Sequence, residues 1–255
     1  MDNVSIASYS FHGLLNQNRI DVFSYLESVR YRYHVGWADI WNGFFKGNYD
    51  VAYVKAIRHA MDERNLQLAS LCCDWAHPWD DDPEVRKQNN ETALNCLLAA
   101  EILGAKTVRF DIGVRERDVS PQQWDVVTER FTTYAKRGEN AGFKVGPENH
   151  WGASRRLSVQ RELFQRVNSP AYGMLLHLGN WDLDEGETAD NNNLLAAPMA
   201  VHTHVNYEHA HRAETYLPLM REAGYQGLWG LEHHSGEDEY KKVARQLAEI
   251  RLANV

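Results

Sequence analysis

The sequence predicts a parallel, eight-stranded α/β fold, a (β/α)8 TIM barrel that occupies residues 1–255 as one domain. Three observations predict it. Short apolar stretches alternate with helical patterns from one end of the chain to the other, which implies a parallel sheet with right-handed crossovers. Four residues able to ligate a metal, Glu148, His177, His204 and Glu232, close consecutive stretches at intervals of 29, 27 and 28 residues. One strand, loop and helix of a barrel take about 30 residues, and barrel enzymes place their chemistry at the strand ends so spaced. Finally, no Gly-rich phosphate loop follows any stretch, which removes the usual support for an open nucleotide-binding sheet.

The strands are expected near 4–9, 35–41, 66–72, 106–111, 143–148, 173–178, 199–205 and 227–232. Between them, the helix through Leu94, Leu97, Leu98 and Ile102 meets Gly104, a C-terminal stop. Ser120-Pro121-Gln122-Gln123 opens the next helix with an N-cap serine, a proline at the first turn and a glutamine able to complete a capping box. Trp124, Val127, Phe131 and Tyr134 give that helix one apolar stripe, and Gly142 ends it before the fifth strand. The last helix presents Tyr240, Val243, Leu247 and Ile250 on the face that closes the barrel.

A formal charge of −8 without any Lys/Arg-rich run argues against nucleic acid or another polyanion as partner. No stretch approaches the length of a membrane span, and the start lacks the basic and apolar regions of a leader, so a cytoplasmic protein is expected. Cys72, Cys73 and Cys96 form no paired framework and are expected to be reduced core residues. The loop Cys72 to His77 mixes metal-binding types without paired spacing and reads as a pocket wall.

Side chains alternate along a strand, so Gly146 lies beneath Glu148 and Gly230 beneath Glu232, leaving room in the layer below. Two carboxylates ending apolar strands are costly unless paired, which marks them as metal-binding or catalytic candidates. His202 and His204 share a face, so either could be the ligand, with His204 nearer the catalytic end. His177 follows Met174-Leu175-Leu176 and could otherwise be a core histidine bonded to a carbonyl.

Pro147-Glu148-Asn149-His150-Trp151-Gly152, His202-Thr203-His204-Val205-Asn206 and Leu231-Glu232-His233-His234-Ser235-Gly236 resemble the ends of strands five, seven and eight of the sugar phosphate isomerase/epimerase family, the xylose isomerase-like TIM barrels. Gly104 to Arg109 and Val35 to Trp41 are similar to that family's strands four and two. The resemblance implies one divalent metal held by Glu, Asp, His and Glu. Glu148, His204 and Glu232 match; His177 stands where the family has Asp, and Asp182 lies five residues beyond. Two imidazoles in place of one favour Mn²⁺, Zn²⁺, Co²⁺ or Fe²⁺ over Mg²⁺ and put affinity under pH control. Alternatively, His177 sits beside a three-ligand site.

The implied activity is metal-dependent sugar isomerisation or epimerisation by proton transfer next to a carbonyl through an enediolate, with Glu148 and Glu232 as the proton-transferring pair. Substrate contacts are expected from His12, Trp41, Asp74, His77, Arg109, Asp111, His150 and His202, with Trp41 or Trp75 offering a flat face to a sugar ring; Arg109 and Asp111 share a strand face and could simply pair. The absence of Lys/Arg clusters at strand ends seven and eight points to an unphosphorylated sugar or keto-polyol. A lyase on the same scaffold, by dehydration of a keto-polyol or β-elimination of a 3-oxo-glycoside, shares the first step. A non-catalytic sugar-binding subunit is the third reading, and a homo-oligomer is possible. The acidic chain lacks the basic groove of the related DNA repair endonucleases.

Overall fold

The computed structural model describes residues 3–253. Eight parallel strands are present: β1 (Val4–Ala7), β2 (Trp37–Trp41), β3 (Gln67–Cys73), β4 (Thr107–Phe110), β5 (Lys144–Gly146), β6 (Met174–His177), β7 (Ala200–Val205) and β8 (Trp229–Leu231). Their order is β5-β4-β3-β2-β1-β8-β7-β6, so β1 pairs with both β2 and β8. The remaining seam, β5 to β6, carries isolated bridges at Val145–Tyr172 and Glu148–Leu175 in place of a continuous ladder. Its thinness has a chemical cause. The Val145, Gly173 and Leu175 N–H groups donate across the seam, but Pro147 has no N–H to add a rung. The barrel closes nonetheless, as an eight-fold β/α arrangement.

Alternation along the strands sorts residues into two sets. Ile6, Ile40, Leu71, Val108, Phe110, Val145, Leu176 and Leu231 face the helices and belong to the apolar core. The opposite set includes Ser5, Asp39, Ser70, Cys72, Thr107, Arg109, His202 and His204, all buried. The barrel interior is therefore polar, and every charge in it requires a partner. Gly230 is needed here: a Cβ on it would lie 2.7 Å from His202 Nε2 and 2.3 Å from the Thr203 carbonyl. The space under Glu232 is thus filled by His202 rather than left open. At Gly146 a Cβ would meet the Gly173 carbonyl at 2.0 Å, so that glycine serves the close approach of β6.

The helix Pro121–Ala141 carries the expected capping box, with Ser120 and Gln123 bonded reciprocally, and ends at Gly142 in the left-handed region (φ 83°). The helix Pro83–Leu103 differs from expectation. It buries Ala93, Cys96, Leu97, Ala100 and Leu103, whereas Leu94 and Leu98 are 45% and 38% exposed. Small residues on the buried face let this helix approach the sheet, and the two leucines lie to its side. In the last helix, Glu239–Leu252, Val243, Leu247 and Ile250 are buried as the stripe predicts. No helix among the described residues is long and apolar enough to cross a membrane, and the three cysteines are free and buried.

Candidate metal centre

Glu148, His177, His204 and Glu232 converge at the C-terminal ends of β5 to β8, all buried, with one ligand atom of each within 4.8 Å of all the others. His177 Nδ1 lies 3.1 Å from Glu148 Oε1 and 3.3 Å from Glu232 Oε2. His204 Nδ1 lies 3.2 and 3.3 Å from the same two oxygens. A proton on either nitrogen serves one acceptor well, not two. Ligand–metal bonds of about 2.0–2.1 Å place neighbouring donors about 2.8–3.0 Å apart in octahedral and about 3.3–3.4 Å apart in tetrahedral geometry, and the observed 3.1–3.3 Å lies between them, so the donor set fits a divalent ion at its centre.

The two glutamates are unequal. Glu148 Oε1 faces the imidazoles while Oε2 pairs with Arg109 Nε at 3.1 Å. Burial pushes its pKa up, but His204, His150 and Arg109 outweigh this and hold it well below the usual carboxylate range. Glu232 Oε2 meets both imidazoles and His234 Nε2, the last at 2.7 Å, and Oε1 has no bonded partner among the described residues. Its pKa is also held well below the usual range, burial being outweighed by His204 and His234.

Behind His204 stands Asp39 of β2. Its Oδ2 lies 2.7 Å from His202 Nε2 and 3.3 Å from His204 Nε2, and it is 1% exposed. The arrangement orients His204 with Nδ1 toward the glutamates and Nε2 toward a carboxylate, the outer-sphere pattern of metal-ligating histidines. Burial would lower the His204 pKa, yet Glu232, Glu148 and Asp39 raise it well above the ordinary histidine value. Cys72 also touches Asp39, at 3.6 Å, and burial with that carboxylate pushes its thiol up to about 11, so it remains protonated.

His177 is fixed by a side chain that continues the β5–β6 seam beyond its last backbone bridge. Just past Pro147, Asn149 Nδ2 donates to the His177 carbonyl at 2.8 Å, and the His177 N–H donates to Asn149 Oδ1 at 2.7 Å. Asn180 Nδ2 returns bonds to the carbonyls of Asn149 and His150. Asp182 is elsewhere, paired with Arg117 at the surface.

A cavity of about 170 Å³ opens beside the cluster. Of the residues expected to touch substrate, Trp41, Asp74, Arg109 and His150 line it. Arg109 Nη1 donates to Asp74 Oδ1 at 2.8 Å and to Asp111 Oδ2 at 3.2 Å, and Asp74 Oδ2 accepts from Trp41 Nε1 at 2.7 Å. The Arg109–Asp111 pairing read from alternation is therefore present, inside a larger network. His150 Nδ1 lies 3.2 Å from Asp111, and burial, which would lower its pKa, is overcome by Glu148 and Asp111, which push it up to about 9. His12, His77 and His202 are not among the lining residues. His12 stacks on Tyr9 at 4.6 Å, His77 lies edge-on to Trp151, and His202 is sealed below with Asp39. Tyr9, His234 and Asp39 line the cavity without having been singled out in the sequence. Alternation from Glu232 could have found His234; nothing local marks Asp39.

A second cavity, of about 790 Å³, opens on the other side of Glu232 and His177. Lys241, Lys242 and Arg245 reach it from the last helix, so the strand ends lack basic residues but the helix after β8 does not. Glu208 and Asp238 stand among them, giving a wall of mixed sign.

The comparisons agree with this architecture. A 3-keto-D-glucoside 4-epimerase from E. coli superposes with a TM-score of 0.76 at 13% identity, over 98% of this chain and 99% of that one. D-psicose 3-epimerase from Clostridium cellulolyticum gives 0.76 at 12% identity, over 100% and 98%. The probable 3-DHS dehydratase of Bacillus anthracis gives 0.71 at 12% identity, over 98% and 99%. None of the curated proteins compared with the chain matches it. The family model for the xylose isomerase-like TIM barrel matches residues 35–250, and the chain belongs to that family.

Proposed function

We propose that the protein is a divalent-metal-dependent enzyme that isomerises or epimerises a sugar or keto-polyol by moving a proton next to a carbonyl. The observation that supports this most is the convergence of two imidazole nitrogens and two carboxylate oxygens at 3.1–3.3 Å on the polar floor of a small cavity. When bound, the metal would act as a Lewis acid on adjacent carbonyl and hydroxyl oxygens, lowering the barrier to loss of the neighbouring proton. Two imidazoles among four ligands favour Mn²⁺, Fe²⁺, Co²⁺ or Zn²⁺ over Mg²⁺.

The chain's own residues divide the remaining work. Glu148 and Glu232 are the proton-transferring candidates, and the geometry assigns them different starting points. Arg109 occupies one oxygen of Glu148, which weakens it as a base, whereas Glu232 keeps Oε1 uncommitted and lines both cavities. Glu232 is therefore the better first acceptor, and Glu148 the better holder of the metal. Arg109 and His150 border the space where enediolate charge would develop and place positive charge there.

The test is NMR product analysis in deuterated water with the Mn²⁺-loaded protein and a panel of ketoses and 3-oxo-glycosides. Solvent deuterium in an unchanged carbon skeleton supports isomerase or epimerase chemistry. Loss of water or of an aglycone would instead make the protein a lyase that shares the proton-removal step. Glu148→Gln and Glu232→Gln are each expected to abolish turnover, and activity retained in both would defeat the assignment. Absence of exchange on every substrate would favour a sugar-binding role.

A further inference from the structure

The metal-side cavity shares one wall, Trp41, with another cavity of about 730 Å³ between the loops after β1, β2 and β3. At its mouth stands Trp75, 61% exposed, with its ring centroid 6.3 Å from that of Trp41 and tilted by 37°. Trp75 adopts φ +54°, a left-handed conformation that is a genuine outlier for a bulky residue. The loop is held there from below. Buried Asn42 donates to the Asp74 carbonyl and accepts from the Asp74 N–H, both at 3.0 Å, and donates to the Tyr49 hydroxyl at 2.9 Å. The chain thus retains a strained backbone whose effect is to display an indole beside the candidate site.

The lining is rich in amides, with Asn16, Asn18, Asn95 and Thr92 around the two indoles. Lys46 is the one charged residue lining it among the described residues, and its ammonium donates to Asn18 Oδ1 at 2.9 Å. Aromatic faces take the C–H surface of a pyranose ring, while amides donate to and accept from its hydroxyls. At about 170 Å³ the metal-side cavity falls below the roughly 300–1,000 Å³ of pockets that enclose larger ligands. Anything beyond a single ring must therefore extend out of it. The alternative exit, past Glu232, would set a neutral ring against the charged side chains of Lys241, Lys242, Arg245, Glu208 and Asp238.

We propose that this cavity is a subsite for a second, neutral glycosyl ring seated on Trp75 and Trp41, so that the substrate class is a disaccharide-sized glycoside. The inference rests on the proposed sugar chemistry at the metal centre.

The test uses the full chain loaded with Mn²⁺ and calorimetric or saturation-transfer NMR binding of maltose, cellobiose, sucrose and trehalose against glucose and fructose. At least one disaccharide is expected to bind about tenfold tighter than the monosaccharides, and Trp75→Ala should bring that ratio to about one. Trp75→Asn, which suits the left-handed backbone, should lose the preference equally while melting at the same temperature or higher. A ratio that neither variant changes, no disaccharide preference, or no sugar binding at all overturns the inference. So does sedimentation showing a dimer that Trp75→Ala dissociates, since a second copy would then cover the indole. The two readings fail differently. Deuterium exchange with Trp75-independent binding removes only the subsite, whereas Trp75-dependent binding without exchange removes only the proton-transfer chemistry.

Discussion

Replacing Asn149 by Ala should reveal how much of the site depends on one side-chain rung. Asn149 is fully buried, and its side chain carries the β5–β6 seam past Pro147 with two bonds, at 2.7 and 2.8 Å to the His177 N–H and carbonyl. Alanine leaves the buried His177 N–H without a partner, at about 1–3 kcal/mol, and leaves the His177 carbonyl with only the Asn180 N–H, at 3.3 Å, at about 0.5–1.5 kcal/mol more. Water entering the vacated space would recover part of this, which brings the expected loss to about 2 kcal/mol. For a chain of this size that corresponds to a fall of roughly 4–8 °C in melting temperature. The assay is thermal unfolding followed by circular dichroism, in EDTA and again with excess Mn²⁺. The metal-induced rise in melting temperature should also shrink, because the freed seam no longer holds His177 against the glutamates. Asn149→Asp should be no better near neutral pH, since a carboxylate oxygen would face the carbonyls of His177 and Asn180. A variant within about 0.5 kcal/mol of the parent, with an unchanged response to metal, would refute the view that this amide completes the sheet.

Four further outcomes follow from the same geometry. Asp39→Asn should weaken Mn²⁺ or Zn²⁺ binding about 10–100-fold by calorimetry, because His204 loses the carboxylate behind its ring. Excess Mn²⁺ or Zn²⁺ should raise the melting temperature of the parent, by about 2.7 kcal/mol of stability at a hundredfold excess over Kd; EDTA should reverse the rise and Glu232→Gln should abolish it. Metal affinity should fall as pH drops from 7.5 to 5.5, since Glu232 and Glu148 raise the His204 pKa and protons then compete for the nitrogen; equal affinity at both values would remove the imidazoles from the ligand set. His209 should make stability fall on acidification. Burial and Arg212 lower its folded pKa from 6.5 to about 4, so below pH 6.5 the unfolded chain binds the extra proton. Stability is then complete above pH 6.5 and loses up to about 3 kcal/mol by pH 4, an acid-side slope that His209→Gln should flatten in urea titrations.

What the sequence discloses here depends on distance along the chain. Glu148, His177, His204 and Glu232 are readable because each ends its own apolar stretch, and neighbouring units of a barrel place such ends side by side. The strands fall within the expected ranges, apart from one residue at Cys73, and β5, three residues long like β8, stops where Pro147 withholds its N–H. Asp39 was not readable. It meets His202 and His204 from 163 and 165 residues away, and periodicity does not say which residues face one another across a closed sheet. Leu94 and Leu98 show the same limit at a helix, where spacing identifies a stripe but packing chooses the buried edge. Asn149 lies between these cases. A proline at the end of a strand interrupts backbone pairing, and an amide two residues later can carry the seam on, yet its pairing with His177 becomes visible only with β6 in place.

The histidine at the β6 position alters the electrostatics of the centre more than its shape. Two glutamates and two neutral imidazoles balance a divalent ion, whereas three carboxylates and one imidazole would leave an excess negative charge. In a buried site that difference is costly, because low surrounding polarity strengthens each unbalanced interaction. Elsewhere this barrel is already acidic: Asp39, Asp74 and Asp111 lie close to the cluster, and Arg109 is shared among Asp74, Asp111 and Glu148. An aspartate at position 177 would add a sixth carboxylate to Asp39, Asp74, Asp111, Glu148 and Glu232, and would remove an imidazole that faces two of them. Replacing His177 by Asp should therefore shift metal preference toward Mg²⁺ while lowering the stability of the metal-free protein at neutral pH, measured as opposite movements in Mg²⁺ affinity and in melting temperature with EDTA. If the variant instead melts as high as the parent without metal, the neighbouring charges are better compensated than the Arg109 network indicates, and charge balance is not the reason for this histidine.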